Sequence, residues 1–115
     1  MTTVALVALL AGTGAVARAA VTWRWNLPRG LPLGTLAVNV AGCLVLGVLQ
    51  GSGLAPPALT IVGTGLVGAL TTFSGFVADT AGLAVGDRKG AAVAYVVVAL
   101  VAGVAAAALG RALGG

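Results

Sequence analysis

Four long apolar stretches, separated by short segments that hold nearly all of the charge, constrain what this chain can fold into. They cover about residues 3–22, 32–50, 56–78 and 91–110. A helix crosses the roughly 30 Å hydrocarbon core of a bilayer with about 20 apolar residues. Since lipid offers no partner to backbone polar groups, such stretches must be helical. We therefore expect an all-α membrane protein in which residues 1–115 form one domain of four transmembrane helices.

Composition supports this class and argues against several others. Only 7% of the residues are charged, 60% are hydrophobic, and 19 are glycines, which let helices in lipid approach closely. The single cysteine, Cys43, cannot form an internal disulfide, and the chain has no histidine for a His/Cys metal cluster. The segment GTGLVG (63–68) matches a dinucleotide fingerprint but lies in an apolar span instead of a βαβ unit. We expect a protein that is not an enzyme.

The few charges indicate how the chain lies in the membrane. Five of the six basic residues fall on the side of the first and third loops, against Arg111 on the other side. These five are Arg18, Arg24, Arg29, Arg88 and Lys89. The positive-inside rule then puts both termini outside, and Trp23 and Trp25 fit the interfacial aromatic belt. Basic residues so placed report membrane orientation, so we expect contact with the lipid bilayer and none with nucleic acid.

Polar residues inside the spans point to function, because hydrocarbon gives them no partner. Asn39 in the second span suits either an interhelical hydrogen bond or the lining of a pore. In the third span, Gly68 weakens the helix and Thr71 and Thr72 can satisfy the groups that a break would free, although an unbroken helix is the alternative.

Phe73 and Phe76 share one face of the third span. Such a pair usually packs against a neighbouring helix. The edge of an aromatic ring carries partial positive charge, so two edges in a narrow passage are also able to attract a small anion.

Three segments resemble motifs of the small bacterial fluoride channels called Fluc or CrcB. They are GTGAVAR (12–18), GTLAVNVAGC (34–43) and GALTTFSGF (68–76). The resemblance implies a third helix broken near its middle and an antiparallel, dual-topology-like dimer with two fluoride pathways. It implies passive export that lowers cytoplasmic fluoride across the bacterial inner (plasma) membrane, which the chain crosses several times. It also implies a sodium ion that is structural and not transported.

The same resemblance assigns roles to individual residues. Those that it places along the ion path are Arg18, Thr35, Asn39, Thr72, Phe73, Ser74, Phe76 and Tyr95. The carbonyls of Gly68 and Thr71 would hold the sodium ion. Arg18 would lie near the entrance of the pathway, or else extend to the lipid headgroups.

This sequence departs from the family pattern at four positions. Gly75 stands where a threonine is common, and Asp79 where a glutamate is usual. Ala99 and Gly103 follow Tyr95 where serine is expected one turn later, which interrupts a polar track along the fourth helix.

Two other functions compete with the channel. A small proton-coupled multidrug transporter also has four spans, but it needs a carboxylate within the membrane, and we expect Asp79 at a helix end and Asp87 in a loop. In a structural membrane subunit, the polar residues would only join helices.

The basic bias also bears on the partner. A chain that inserts both ways should have little bias, so we expect a fixed orientation. With a fixed orientation, an antiparallel dimer needs an oppositely oriented paralogue and is a heterodimer; a homodimer is the alternative if the chain inserts both ways.

Overall fold

The computed structural model describes residues 2–28 and 30–115. Within them the chain is helical, with no strand beyond one isolated bridge between Asn26 and Pro32. The first, second and last helices are α1 (Thr2–Trp25), α2 (Leu33–Gly51) and α6 (Lys89–Gly114). These three and the third crossing (Pro56–Val85) are long and apolar enough to cross a membrane. This confirms the prediction of an all-α protein with four membrane-spanning helices. Arg29, which we expect on the side of the first and third loops, lies outside the described residues.

The third crossing is broken, as the resemblance implied. It begins with α3 (Pro56–Leu59), a π-helical segment (Thr60–Val67) and α4 (Gly68–Leu70), and it resumes as α5 (Phe73–Val85). Prolines suit the start of α3 because the first turn of a helix needs no amide donors. Thr71 and Thr72 between the halves are extended, with φ/ψ of −83°/159° and −148°/120°. The two half-helices therefore end and begin inside the span.

Three helices run several residues past the predicted spans, and one of them is α6, which ends at Gly114. Helix α1 continues to Trp25, and both of its tryptophans are exposed. Helix α5 continues to Val85, since no strong helix breaker intervenes before Gly86. The prediction that Asp79 lies at a helix end is therefore wrong, because this residue is in the middle of α5. Asp87 does lie in the turn before α6, with a left-handed φ of 60°.

Helices α2 and α6 run parallel and pack through glycine. A Cβ added at Gly47 or Gly51 of α2, or at Gly110 or Gly114 of α6, would overlap backbone atoms of the facing helix. The glycine content predicted this close approach, since small side chains allow helices to pack in lipid.

Helix α1 packs on the first half of the third crossing, again at glycine. A Cβ at Gly14 would lie 2.5 Å from the carbonyl oxygen of Leu66 and 3.0 Å from the amide nitrogen of Leu70. Elsewhere α5 and α6 enclose a small core of Leu83, Ala92 and Tyr95. These contacts fix the broken crossing between α1 on one side and α2 with α6 on the other.

Candidate functional site

The side-chain amide of Asn39 pairs with the backbone at the break. Its Nδ2 donates to the carbonyl oxygen of Thr72 at 3.0 Å, and the amide nitrogen of Thr72 donates to Asn39 Oδ1 at 2.8 Å. The amide thus replaces, for one residue, the two bonds that a neighbouring strand would supply. Asn39 thus makes the interhelical hydrogen bond that one interpretation predicts, and it also lines an open groove described below.

Thr72 also begins the second half of the crossing. Its Oγ1 accepts a hydrogen bond from the amide of Gly75 at 2.9 Å, which is an ordinary helix N-cap. Its hydroxyl lies 3.3 Å from that of Ser74. A Cβ at position 75 would come within 2.8 Å of Thr72 Cγ2, so the departure from the family pattern at Gly75 suits this compact cap.

The first half of the crossing ends in carbonyl groups that need other partners. The amide and the hydroxyl of Thr71 both donate to the carbonyl of Val67, at 3.0 and 3.1 Å. The amide of Thr72 would close the next helical bond, to Gly68, but it donates to Asn39 instead. The carbonyl of Ala69 accepts from Arg18 Nε at 3.1 Å. The freed carbonyls carry the partial negative charge of a helix C-terminus.

Three aromatic rings form a column beside the break. The centroids of Phe73 and Phe76 are 6.2 Å apart, those of Phe76 and Tyr95 are 5.4 Å apart, and both pairs are tilted. Phe76 and Tyr95 are packed, whereas Phe73 is 79% exposed at the open end of the column. Phe76 thus packs against its neighbours, whereas Phe73 presents an accessible ring.

Two buried oxygens near this column have no hydrogen-bond partner in the described part of the chain. They are the hydroxyl of Tyr95 and Oδ2 of Asp79. Asp79 lies three residues after Phe76, on the same face of α5. Sequence reasoning did not assign Asp79 to the site, although its position one turn from Phe76 was a usable signal.

Two open cavities lie along α5, and Phe73 and Phe76 border the first of them. We call the first the break groove; it holds about 380 Å³. Among its lining residues are Asn39, Gly68, Thr71, Thr72, Phe73 and Phe76. The second, the loop cavity, holds about 480 Å³ between the first and third loops and is lined by Asn26, Asp79 and Arg88 among others. Phe76 borders the first cavity and Asp79 the second, so α5 connects them.

Six of the ten predicted site residues line the groove, and four do not. Ser74 and Tyr95 adjoin it through Thr72 and Phe76. Arg18 lies behind α4, on the side of α1. Thr35 is 2% exposed at the start of α2, where its hydroxyl accepts from Asn26 Nδ2 at 2.9 Å. Its amide donates to Asn26 Oδ1 at 3.0 Å, so Asn26 joins the first loop to α2, a role that sequence reasoning missed.

Four membrane-length helices, one of them interrupted where polar and aromatic groups converge beside an open groove, define a multi-pass membrane protein. The family described as "CrcB-like protein, Camphor Resistance (CrcB)" matches residues 5–111. The chain belongs to this family, which confirms the resemblance.

Curated relatives match over almost the whole chain. "Fluoride-specific ion channel FluC 2" of Rhodococcus jostii is 44% identical over 108 residues, covering 94% of this chain and 95% of that protein. The protein of the same name from Mycolicibacterium paratuberculosis is 44% identical, over 98% of this chain and 97% of its own. "Fluoride-specific ion channel FluC" of Methylobacillus flagellatus is 39% identical, over 87% and 84%. These relatives are named ion channels and not enzymes.

Proposed function

We propose that this chain is a subunit of a fluoride-selective channel in the bacterial inner membrane, where it lowers cytoplasmic fluoride by passive export. The observation that carries the proposal is the ring column of Phe73, Phe76 and Tyr95, set beside a break that Asn39 holds open. The names of the relatives support fluoride as the ion.

The chemistry of the column suits a small, strongly hydrated anion. A selective pore must replace the water around the ion yet bind it weakly enough for release. Ring edges and neutral hydroxyls meet this need, because they attract an anion without the strength of a full positive charge. The exposed ring of Phe73 would meet the ion first. The residues on either side of Phe73 in the sequence, Thr72 and Ser74, carry hydroxyls that lie 3.3 Å apart.

The break also fits the sodium ion that the resemblance implies. The carbonyls of Gly68 and Thr71 would hold it, and both residues line the break groove. Because Asn39 takes the amide of Thr72, the carbonyl of Gly68 is without its ordinary helical donor. Carbonyl oxygens at a helix C-terminus suit a hard cation. The ion would compensate their charge and stabilise the break without being transported.

The proposed assembly is a dimer of oppositely oriented subunits. Two carbonyls are a small ligand set for a hard cation, and a second subunit facing the groove would add its own. The basic bias favours a heterodimer with a paralogue of the opposite bias over a homodimer.

Fluoride efflux from liposomes tests the proposed function. The purified chain, alone or with an oppositely biased paralogue from the same genome, should release fluoride and retain chloride. Replacing sodium by N-methylglucamine on both sides should slow fluoride release. Proton-driven transport of a cationic dye would instead support the multidrug transporter, and failure to release fluoride in both preparations would refute the channel.

A further inference from the structure

Arg18 reaches the break from the side opposite the groove. It lies one helical turn after Gly14, on the same face of α1. At Gly14 the backbone of α1 comes against Leu66 and Leu70, so close that a Cβ would lie 2.5 Å from the oxygen of Leu66. This approach brings the side chain of Arg18 to the last turn before the break, where Nε donates to the carbonyl of Ala69.

The charge of Arg18 is not balanced by an acid. Across residues 2–28 and 30–115, the bond to Ala69 is the only hydrogen bond or ion pair of its side chain. The acids of the chain are Asp79 and Asp87. A guanidinium keeps its proton in proteins, and a charge inside a span needs a partner. The partner that the structure provides is the negative end of a half-helix.

We propose that Arg18 is a positioning residue for ion passage, one that anchors and neutralises the C-terminal end of α4. This inference rests on the proposed function. The sodium ion proposed above would offset the carbonyls of Gly68 and Thr71, whereas Arg18 serves the carbonyl of Ala69. Without Arg18 this carbonyl would repel an approaching anion, and the repulsion would be strong because the surroundings have a low dielectric constant. A guanidinium behind the helix removes this repulsion without standing in the path, where it would trap the anion.

Arg18 and Asn39 thus hold different sides of one break. Asn39 comes from α2 and bonds Thr72, where the second half of the crossing begins. Arg18 comes from α1 and bonds Ala69, where the first half ends.

Fluoride efflux from liposomes tests the role of the charge with Arg18→Lys and Arg18→Gln. A cation stabilises the C-terminal end of a helix in a partly buried site, so Arg18→Gln, which removes that cation, should slow efflux by about tenfold or more. Arg18→Lys keeps the charge and should stay within about threefold of the wild type. Arg111→Gln, which removes an exposed charge at the end of α6, is the matched control and should change efflux by less than about twofold.

A second pair of variants moves the charge and does not delete it. Gly14→Ala forces α1 away from α4 at the oxygen of Leu66, so efflux should fall although Arg18 remains. Gly12→Ala, on the same helix with nothing within 4 Å, is its control and should conduct like the wild type. This pair keeps the test decisive if Arg18→Gln does not fold.

The outcomes separate this inference from the proposed function. A wild-type protein that conducts no fluoride overturns the function. A conducting wild type overturns the anchor if folded Arg18→Gln conducts equally well, if Arg18→Lys is as slow as Arg18→Gln, or if Gly14→Ala is unaffected.

Discussion

At the scale of single residues, two asparagines perform the same task in different places. The side-chain oxygens of Asn39 and Asn26 each accept a hydrogen bond from a backbone amide, and the side-chain nitrogen of each donates a second hydrogen bond to the same residue. They differ in one acceptor. Asn39 donates to a carbonyl, which can only accept, whereas Asn26 donates to the hydroxyl of Thr35, which can also donate.

This difference predicts unequal effects of the same substitution. In Asn39→Asp, a carboxylate oxygen faces the carbonyl of Thr72 with no hydrogen between them, which should cost about 1–3 kcal/mol and disrupt the break. In Asn26→Asp, the hydroxyl of Thr35 can turn and donate to the new carboxylate, so the cost should stay below about 1 kcal/mol. Thermal unfolding in detergent and fluoride efflux measure both. Equal losses in the two variants would contradict this account of Asn39.

The ring column permits a second prediction at this scale. Phe73→Leu and Phe76→Leu keep apolar side chains but remove ring edges, so each should slow fluoride efflux by about tenfold or more. Phe76 makes two ring contacts and Phe73 one, and a ring pair is worth about 0.5–1.5 kcal/mol, so Phe76→Leu should unfold at the lower temperature. Val77→Leu, at an exposed neighbouring position, is the control. Wild-type efflux in folded Phe73→Leu would exclude its ring from the ion path.

At the scale of helices, the molecule holds its broken crossing between two sets of close contacts. Glycine lets α2 and α6 touch along their C-terminal halves and lets α1 touch α4 at Gly14. Of the two extended residues, Thr71 bonds Val67 in its own crossing, whereas the amide and the carbonyl of Thr72 both depend on Asn39 of α2. The break is a property of the packed helices together.

Two glycine substitutions test this packing. Gly47→Ala places a methyl group on the backbone of Ala107, so α2 and α6 must separate at a cost of about 1–3 kcal/mol. Gly82→Ala in α5 meets no atom within 4 Å, and better helix propensity should stabilise it by up to about 1 kcal/mol. Unfolding temperatures in the same detergent should therefore shift in opposite directions. A Gly47→Ala protein as stable as the wild type would show that α2 and α6 do not touch there.

At the scale of the whole molecule, the charge bias has a structural counterpart. Arg88 Nη1 donates to the carbonyl of Gly30 at 3.1 Å, so the first and third loops meet at one end of the molecule. Arg24, Arg88 and Lys89 are at that end. Arg111 lies at the other end, against Gly51.

This arrangement predicts one orientation in the membrane. Fusions of alkaline phosphatase and green fluorescent protein to either terminus should both report the outer face, because the basic loops stay in the cytoplasm. Neutralising Arg88 and Lys89 while adding two lysines in the second loop, at residues 52–55, should shift a substantial fraction to the opposite orientation. Termini found equally on both faces in the unmodified chain would instead favour a homodimer of oppositely inserted copies.

The sequence by itself determined the class, the number of crossings and the family. Uncharged stretches of membrane length have to be helices, because lipid satisfies no backbone group from outside. The motif around Phe73 and Phe76 indicates the family from sequence alone, because all of its residues lie within the continuous segment 68–76. A span that is ended at its first charged residue stops at Ala78. Helix α5 continues to Val85, because a single charged residue such as Asp79 does not end a helix.

Only the tertiary structure decided how the break is held and which polar residues meet there. Asn39 and Thr72 are 33 positions apart in sequence, and Arg18 and Ala69 are 51 apart. Thr35, which the resemblance places on the ion path, is bonded to Asn26 at the start of α2, a contact that no local pattern in the sequence indicated. The physical reason is that a broken helix frees donors and acceptors whose partners must come from other helices, and the close contacts at glycine determine which side chains reach them.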